Sequence, residues 1–227
     1  MELKKLVAVS MAAWGAGASA LTLTVETDRA LTDSERRMLN GGETALVVMG
    51  SGTLTTDGLD AFTGVLTVRA GAAIRIGAAD GLGAPGATTV VEDGGTLIVA
   101  GAANNTLSLP GRTVQISGTG RDGKGAVCVT GTNQNFLFGK LALTGPATIG
   151  GDKSWGSVRA ESTLDMGGHE LTVAAAVYWR FTAVEEPADI ILRSWIDVRD
   201  DGAFPKDEVR TIAAVTTSIR AVARRTT

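Results

Sequence analysis

The chain has 227 residues, a formal net charge of −3, 30 glycines and 44% apolar residues, of which few are aromatic (4% of the chain). So small a net charge does not imply a nucleic-acid partner, and none is expected. The shortage of Phe, Tyr and Trp argues against an ordinary sandwich or barrel core and for one built from Ala, Val, Leu and Ile.

The N-terminus reads as an export signal. Lys4 and Lys5 form a positive start, Leu6 to Ala16 is an apolar stretch, and Ala18-Ser19-Ala20 supplies a small-x-small cleavage pattern. The apolar run is too short to span a bilayer, and no later stretch approaches about 18 apolar residues. The expectation is cleavage after Ala20 and a mature chain beginning at Leu21 with no membrane-spanning segment.

Leu21–Val25 alternates apolar and polar residues and predicts a strand. Thr32-Asp33-Ser34-Glu35 then predicts a helix to about Leu39, opened by a capping box. Asn40-Gly41-Gly42 ends it, glycine reaching the left-handed conformation of a helix stop. From about Ala45 short alternating strands follow one another, separated by Gly-centred turns such as Asp93-Gly94-Gly95, Pro110-Gly111 and Gly167-Gly168. Inward pairs are predicted at Leu66/Val68, Ile74/Ile76, Leu97/Val99, Leu107/Leu109, Val114/Ile116, Val127/Val129, Leu141/Leu143, Leu164/Met166 and Leu171/Val173. Neighbouring pairs lie about 7 or 8 residues apart, and steps of roughly 17–24 residues separate the groups. A unit that short buries no core alone, so stacking of successive coils is the expected solution. Antiparallel hairpins of a β-sandwich fit the same strand pattern and stay open at this point.

The residues Gly50-Ser51-Gly52-Thr53-Leu54-Thr55-Thr56-Asp57-Gly58, the corner Phe62-Thr63-Gly64 and Thr67-Val68-Arg69-Ala70-Gly71 form one extended pattern. It continues through Gly81-Leu82-Gly83 and Asp93-Gly94-Gly95-Thr96-Leu97. This segment closely resembles the autotransporter-associated β-strand repeat. The match is strong over Gly50–Val99 and looser over Asn105–Val173, where Asp165–Val173 looks like a later rung. The resemblance implies a right-handed parallel β-helix and a place in long passenger regions displayed on, or released from, bacterial surfaces, where such repeats serve mostly as stalks. The chain departs from that architecture in carrying no C-terminal run of amphipathic barrel strands. It therefore reads as a separate secreted protein, a truncated one, or part of a longer passenger.

Candidate chemistry is sparse. Gly81–Gly86 and Gly118–Gly123 both fit G-x-G-x-x-G, but neither precedes a helical pattern, so turns explain them better than nucleotide binding. Asp122 sits in a motif resembling calcium-binding nonapeptides that does not repeat, and Arg121 beside it is positive. His169, the single histidine, has neither a second His nor paired Cys for zinc and no nucleophile elbow for a hydrolase. Asp57, Asp60, Asp80, Asp93, Asp122 and Asp152 mostly adjoin Gly, where Asp bonds turn backbone. Cys128, the single cysteine, lies in the apolar run Ala126–Val129 and reads as a buried thiol in a strand. Asn104-Asn105-Thr106 matches a glycosylation acceptor, in a chain whose signal has a bacterial style.

The expectation is an all-β, right-handed parallel β-helix (solenoid) with one short N-terminal capping helix: a leader at 1–20, a strand and helix at 21–44, repeats at 45–210 and a poorly patterned tail at 211–227. The expected function is that of a non-enzymatic exported structural or adhesive module, extracellular or on the outer cell surface, with no catalytic, cofactor or metal residues. Its oligomeric form is a monomer or part of a longer passenger, and its partner class a cell-surface or extracellular glycan or protein. The alternative is a carbohydrate-binding or polysaccharide-degrading β-helix, which calls for a row of exposed aromatics or carboxylates. Trp14, Trp155, Trp179 and Trp195 do not form one in the sequence.

Overall fold

The structure, a computed structural model, describes residues 9–14, 18–104, 106–134, 136–153, 163–175, 184–185, 188–192 and 217–221. It is a parallel β-solenoid with two regular faces. On the first face Leu21 pairs with Leu46, Leu46 with Leu66, Leu66 with Thr89, Thr89 with Val114, Val114 with Leu141, Leu141 with Leu164 and Leu164 with Val184. On the second face Leu54, Ile74, Leu97, Val127, Ile149 and Val173 form the matching ladder. All of these pairings are parallel and link strands one full coil apart. This excludes the antiparallel hairpins of a β-sandwich.

Both ladders point inward. Their Leu, Ile and Val side chains are essentially buried from Leu21 to Val173. Each such side chain contributes about 1.5–3 kcal/mol over its exposed state. All nine inward pairs predicted from the alternation are buried. The strand Thr88–Val91 escaped that pattern because Thr89 occupies an inward position, at 1% exposure.

The coil length is uneven. The step from Leu46 to Leu66 spans 20 residues, that from Val114 to Leu141 spans 27, beyond the predicted upper limit. The variation lies in the corner loops and in a third, irregular side of the coil, filled by buried Leu59, Phe62, Leu82, Leu107, Leu109 and Phe138. Among the described residues, strand pairing on that side is seen where Ser108 meets Phe136 and Leu109 meets Phe138. The predicted Phe62-Thr63-Gly64 corner is tight for a steric reason. A Cβ on Gly64 would run into the Thr44 carbonyl and the Phe62 ring.

The helix spans Asp33–Asn40 in the first turn. Its capping box forms as predicted. The Thr32 hydroxyl accepts from the Glu35 amide at 3.2 Å, and a Glu35 carboxylate oxygen accepts from the Thr32 amide at 2.7 Å. The helix stops at Asn40-Gly41-Gly42 as predicted. Gly41 has φ −89°, and positive φ comes one residue later, at Gly42 (+121°). The helix is tied down on the second turn, where Arg36 Nε donates to the Asp57 carbonyl and Asn40 Nδ2 to that of Gly58.

Antiparallel strands lie at both ends. Val9–Trp14, within the segment read as an export signal, pairs with Ala18–Thr24. Thr217–Ala221, within the segment read as an unpatterned tail, pairs with Ala188–Leu192. The sequence alternates over Tyr178–Val198 at Ile190, Leu192, Ile196 and Val198, which predicts further coils, and Ala188–Leu192 does continue the second face. Ile196 and Val198 lie outside the described residues.

Candidate functional site

Polar side chains in this protein bind the neighbouring coil far more than they face a cleft. Asp57 accepts from the amides of Gly77 (2.9 Å) and Ala78 (3.1 Å), both in the next turn. Asp28 accepts from the Thr53 amide at 2.8 Å. Asp60 accepts from Asn40 Nδ2 at 3.0 Å. Arg69 and Glu92 pair at 2.6 Å, and Lys140 and Asp165 at 2.8 Å, each across one step of the first face. The Lys140 ammonium, with the Gly167 amide, holds the Asp165 carboxyl below its ordinary value, against a weaker upward push from burial.

The expectation that these acids bond the backbone of their own turns is corrected at Asp57 and Asp60, whose partners lie in a neighbouring turn because the stacked coils bring those groups closer than the local backbone. Asp122 lies at φ +56° on an exposed loop, 4.0 Å from Lys124. Asp152 is exposed and 3.5 Å from Lys153. Asp93 is exposed at a corner beside Gly118.

Asp80 and Arg112 lie close together beside the Gly81–Gly86 corner, and the sequence reading passed over Arg112. Arg112 is buried, with Nε donating to the Gly83 carbonyl at 2.6 Å. Burial lowers its pKa, and the nearby Asp80 carboxylate partly offsets this. Asp80 keeps one buried oxygen that has no hydrogen-bond partner among the described residues. Thr56, fully buried, donates from its hydroxyl to the Gly81 carbonyl at 2.6 Å. The stretch Gly81–Gly86 is therefore a corner whose carbonyls are claimed by side chains of other turns. It begins within a short 3-10 turn at Ala79–Leu82 and leads into the strand Thr88–Val91, not into the helix that a dinucleotide motif requires.

A second buried amide network was also missed. Gln134 is fully buried. Its Oε1 accepts from the Leu107 amide at 2.9 Å, and its Nε2 donates to the Ala103 carbonyl at 2.8 Å and to Thr132 Oγ1 at 2.9 Å. Only its polar type at an otherwise unpatterned position signals it in the sequence.

His169 stands at a turn, its amide donating to the Met166 carbonyl at 2.8 Å. Cys128 is buried as expected. Burial, and to a lesser degree the charge of Asp152, pushes its thiol pKa up. Asn104 is exposed, and its Oδ1 accepts from the Asn133 amide at 3.0 Å. Trp155, Trp179 and Trp195 lie outside the described residues. Among the described residues no three His, Cys, Asp or Glu side chains converge as a metal site, and no helix is long and apolar enough to cross a membrane.

No protein-family model, curated protein or solved structure matches this chain.

Proposed function

We propose that this chain is a non-enzymatic structural module of an exported, passenger-type β-helix, surface-associated or released, serving reach and display. The observation that carries the reading is the use of polar side chains described above: the carboxylates and cations of Asp28, Asp57, Arg69, Glu92, Lys140 and Asp165 bind the next coil. Together with the parallel backbone ladders, they make the molecule resist separation of one turn from the next. From Leu21 to Leu164 the first face makes six steps. At about 4.8 Å each these advance the chain roughly 30 Å.

Two further points support the reading. The segment that resembles the autotransporter-associated repeat, Gly50–Val99, fills the second to fourth turns, with Phe62 and Gly64 forming a tight corner and Gly71 and Gly94 at positive φ. The first inward side chain described, Leu21, is the residue immediately after the predicted cleavage point. Loss of residues 1–20 would remove the antiparallel strand Val9–Trp14 and leave Leu21–Thr24 paired with Leu46–Met49.

The test is a glycan array together with a reducing-sugar release assay on a polysaccharide panel. The proposal expects no turnover above a heat-denatured control. Sustained release of reducing ends would overturn it and favour the carbohydrate-degrading alternative.

A further inference from the structure

The geometry of the motif Gly118-Thr119-Gly120-Arg121-Asp122-Gly123 gives it a use within the fold itself. Residues 118–125 replace a short corner turn of the fifth coil by a longer loop. The corresponding corners of the second, third and fourth coils are only a few residues long, at Gly50–Gly52, Ala70–Ala72 and Asp93–Gly95.

The loop does not project into solvent. It folds back along the rod. The Arg121 amide donates to Thr96 Oγ1 in the fourth turn at 2.7 Å, and the same hydroxyl donates to the Gly125 carbonyl at 3.0 Å. One threonine thus holds the loop at its middle and at its C-terminal end. The loop closes on itself through the Gly125 amide on the Thr119 carbonyl at 2.8 Å. Gly120 is at φ +75°, and a Cβ there would collide with the Gly125 backbone. Asp122 is the one non-glycine residue at positive φ among those described, a position that Asp tolerates better than most residues.

The Arg121 side chain then reaches two turns further. Nη1 donates to the Ser51 carbonyl at 2.9 Å and to the Gly52 carbonyl at 3.1 Å, and Nη2 to Thr53 Oγ1 at 3.1 Å. These partners lie 68 to 70 residues away in sequence. Thr53, Ala73 and Thr96 are paired one above another on the second face. A guanidinium leaving the level of Thr96 and ending at Thr53 must span the level of Ala73, whose methyl leaves room for it. Charge-assisted bonds to two carbonyls and a hydroxyl suit the planar fork of Arg and not the point charge of Lys.

We propose that the loop 118–125 is a clasp, in which Arg121 locks the corners of the second, third and fourth turns so that they do not open singly. In a solenoid each turn contacts only its neighbours, and local opening is the ordinary route to unfolding. A contact that skips a turn removes that independence.

The experiment is amide hydrogen exchange followed by NMR on the full chain and on Arg121→Ala and Arg121→Lys. The informative amides are Gly52, bonded to the Val25 carbonyl, and Ala73, bonded to the Gly52 carbonyl, with Leu107 on the third side as the reference. The clasp predicts exchange at Gly52 and Ala73 at least tenfold faster in Arg121→Ala, a smaller acceleration in Arg121→Lys, and an unchanged rate at Leu107. Unchanged rates at Gly52 and Ala73, or equal acceleration at all three amides, would overturn it.

Discussion

Gln134 occupies the space that a side chain on Gly101 would need, one coil away. A Cβ on Gly101 would overlap the Gln134 amide nitrogen. The pairing is reciprocal, because the missing side chain at Gly101 lets Gln134 enter the core and serve as a surrogate backbone for the Leu107 amide, the Ala103 carbonyl and the Thr132 hydroxyl. Replacing Gln134 by Leu leaves the Leu107 amide buried without an acceptor. That costs about 1–3 kcal/mol for the orphaned donor alone. Thermal unfolding followed by circular dichroism should show a clear fall in Tm for Gln134→Leu. Gly101→Ala should fall too, through overlap and not through a lost bond.

The inward ladders set a graded expectation. Leu97 lies between Ile74 and Val127 with no exposure, and Leu97→Ala should destabilise by about 2–5 kcal/mol. Val65 points outward from the first face and is 41% exposed, so Val65→Ala should change stability by less than about 0.5 kcal/mol. Equal effects of the two substitutions in denaturant titrations would contradict the assignment of faces.

Glu35 sets an acid limit on the helix. Burial pushes its carboxyl up, but bidentate bonds from Arg29 at 2.8 and 2.9 Å and from the Thr32 amide outweigh burial and leave its pKa below the ordinary 4.5. A depressed folded-state pKa gives stability that is present above the unfolded value and lost as pH falls through the folded one. Tm should therefore drop as pH is lowered below about 4.5. Glu35→Gln, which is less stable at neutral pH by about 1–3 kcal/mol, should show a shallower drop over that window. Asp165, held down by Lys140, acts in the same direction, so Lys140→Met should also flatten the acid limb.

Cys128 should be inert in the folded protein. It lies on the strand Val127–Val129, its thiol is buried, and its raised pKa leaves little thiolate near neutrality. Reaction with a chromogenic disulfide at pH 7.5 should be at least a hundredfold slower in native protein than in denaturant. Fast labelling of the native chain would show that the outward side of this strand is open.

Much of the fold was legible because its core is simple. Alternation of Leu, Ile and Val over three or four residues marked most strands whose inward sites are apolar, though not the rungs Leu46/Val48 and Ala147/Ile149, and the Thr32/Glu35 capping box marked the helix. Thr89 hid one rung because a hydroxyl stands where the alternation calls for a hydrocarbon. Strand direction was not legible from periodicity, since parallel coils and antiparallel hairpins alternate alike and only long-range pairing separates them. The polar contacts were least legible. Asp57 beside Gly58 reads as a local turn, yet its partners are Gly77 and Ala78. Arg121 reads as part of a glycine-rich motif, yet its side chain bonds Ser51, Gly52 and Thr53. Such contacts depend on the register between coils and on their uneven length, neither of which a local window contains.

The parallel stacking on which the whole account stands is tested most directly by cysteine cross-linking on the outer side of the first face. Thr67 pairs with Val90, and Val90 with Gln115. Parallel neighbours are about 4.8 Å apart, within disulfide reach, whereas residues two turns apart are at roughly 9.6 Å, beyond it. In a Cys128→Ser background, the pair Thr67→Cys with Val90→Cys should oxidise readily to an intramolecular disulfide, and the pair Thr67→Cys with Gln115→Cys should not. Ready oxidation of the second pair with none of the first would contradict the solenoid and the function inferred from it.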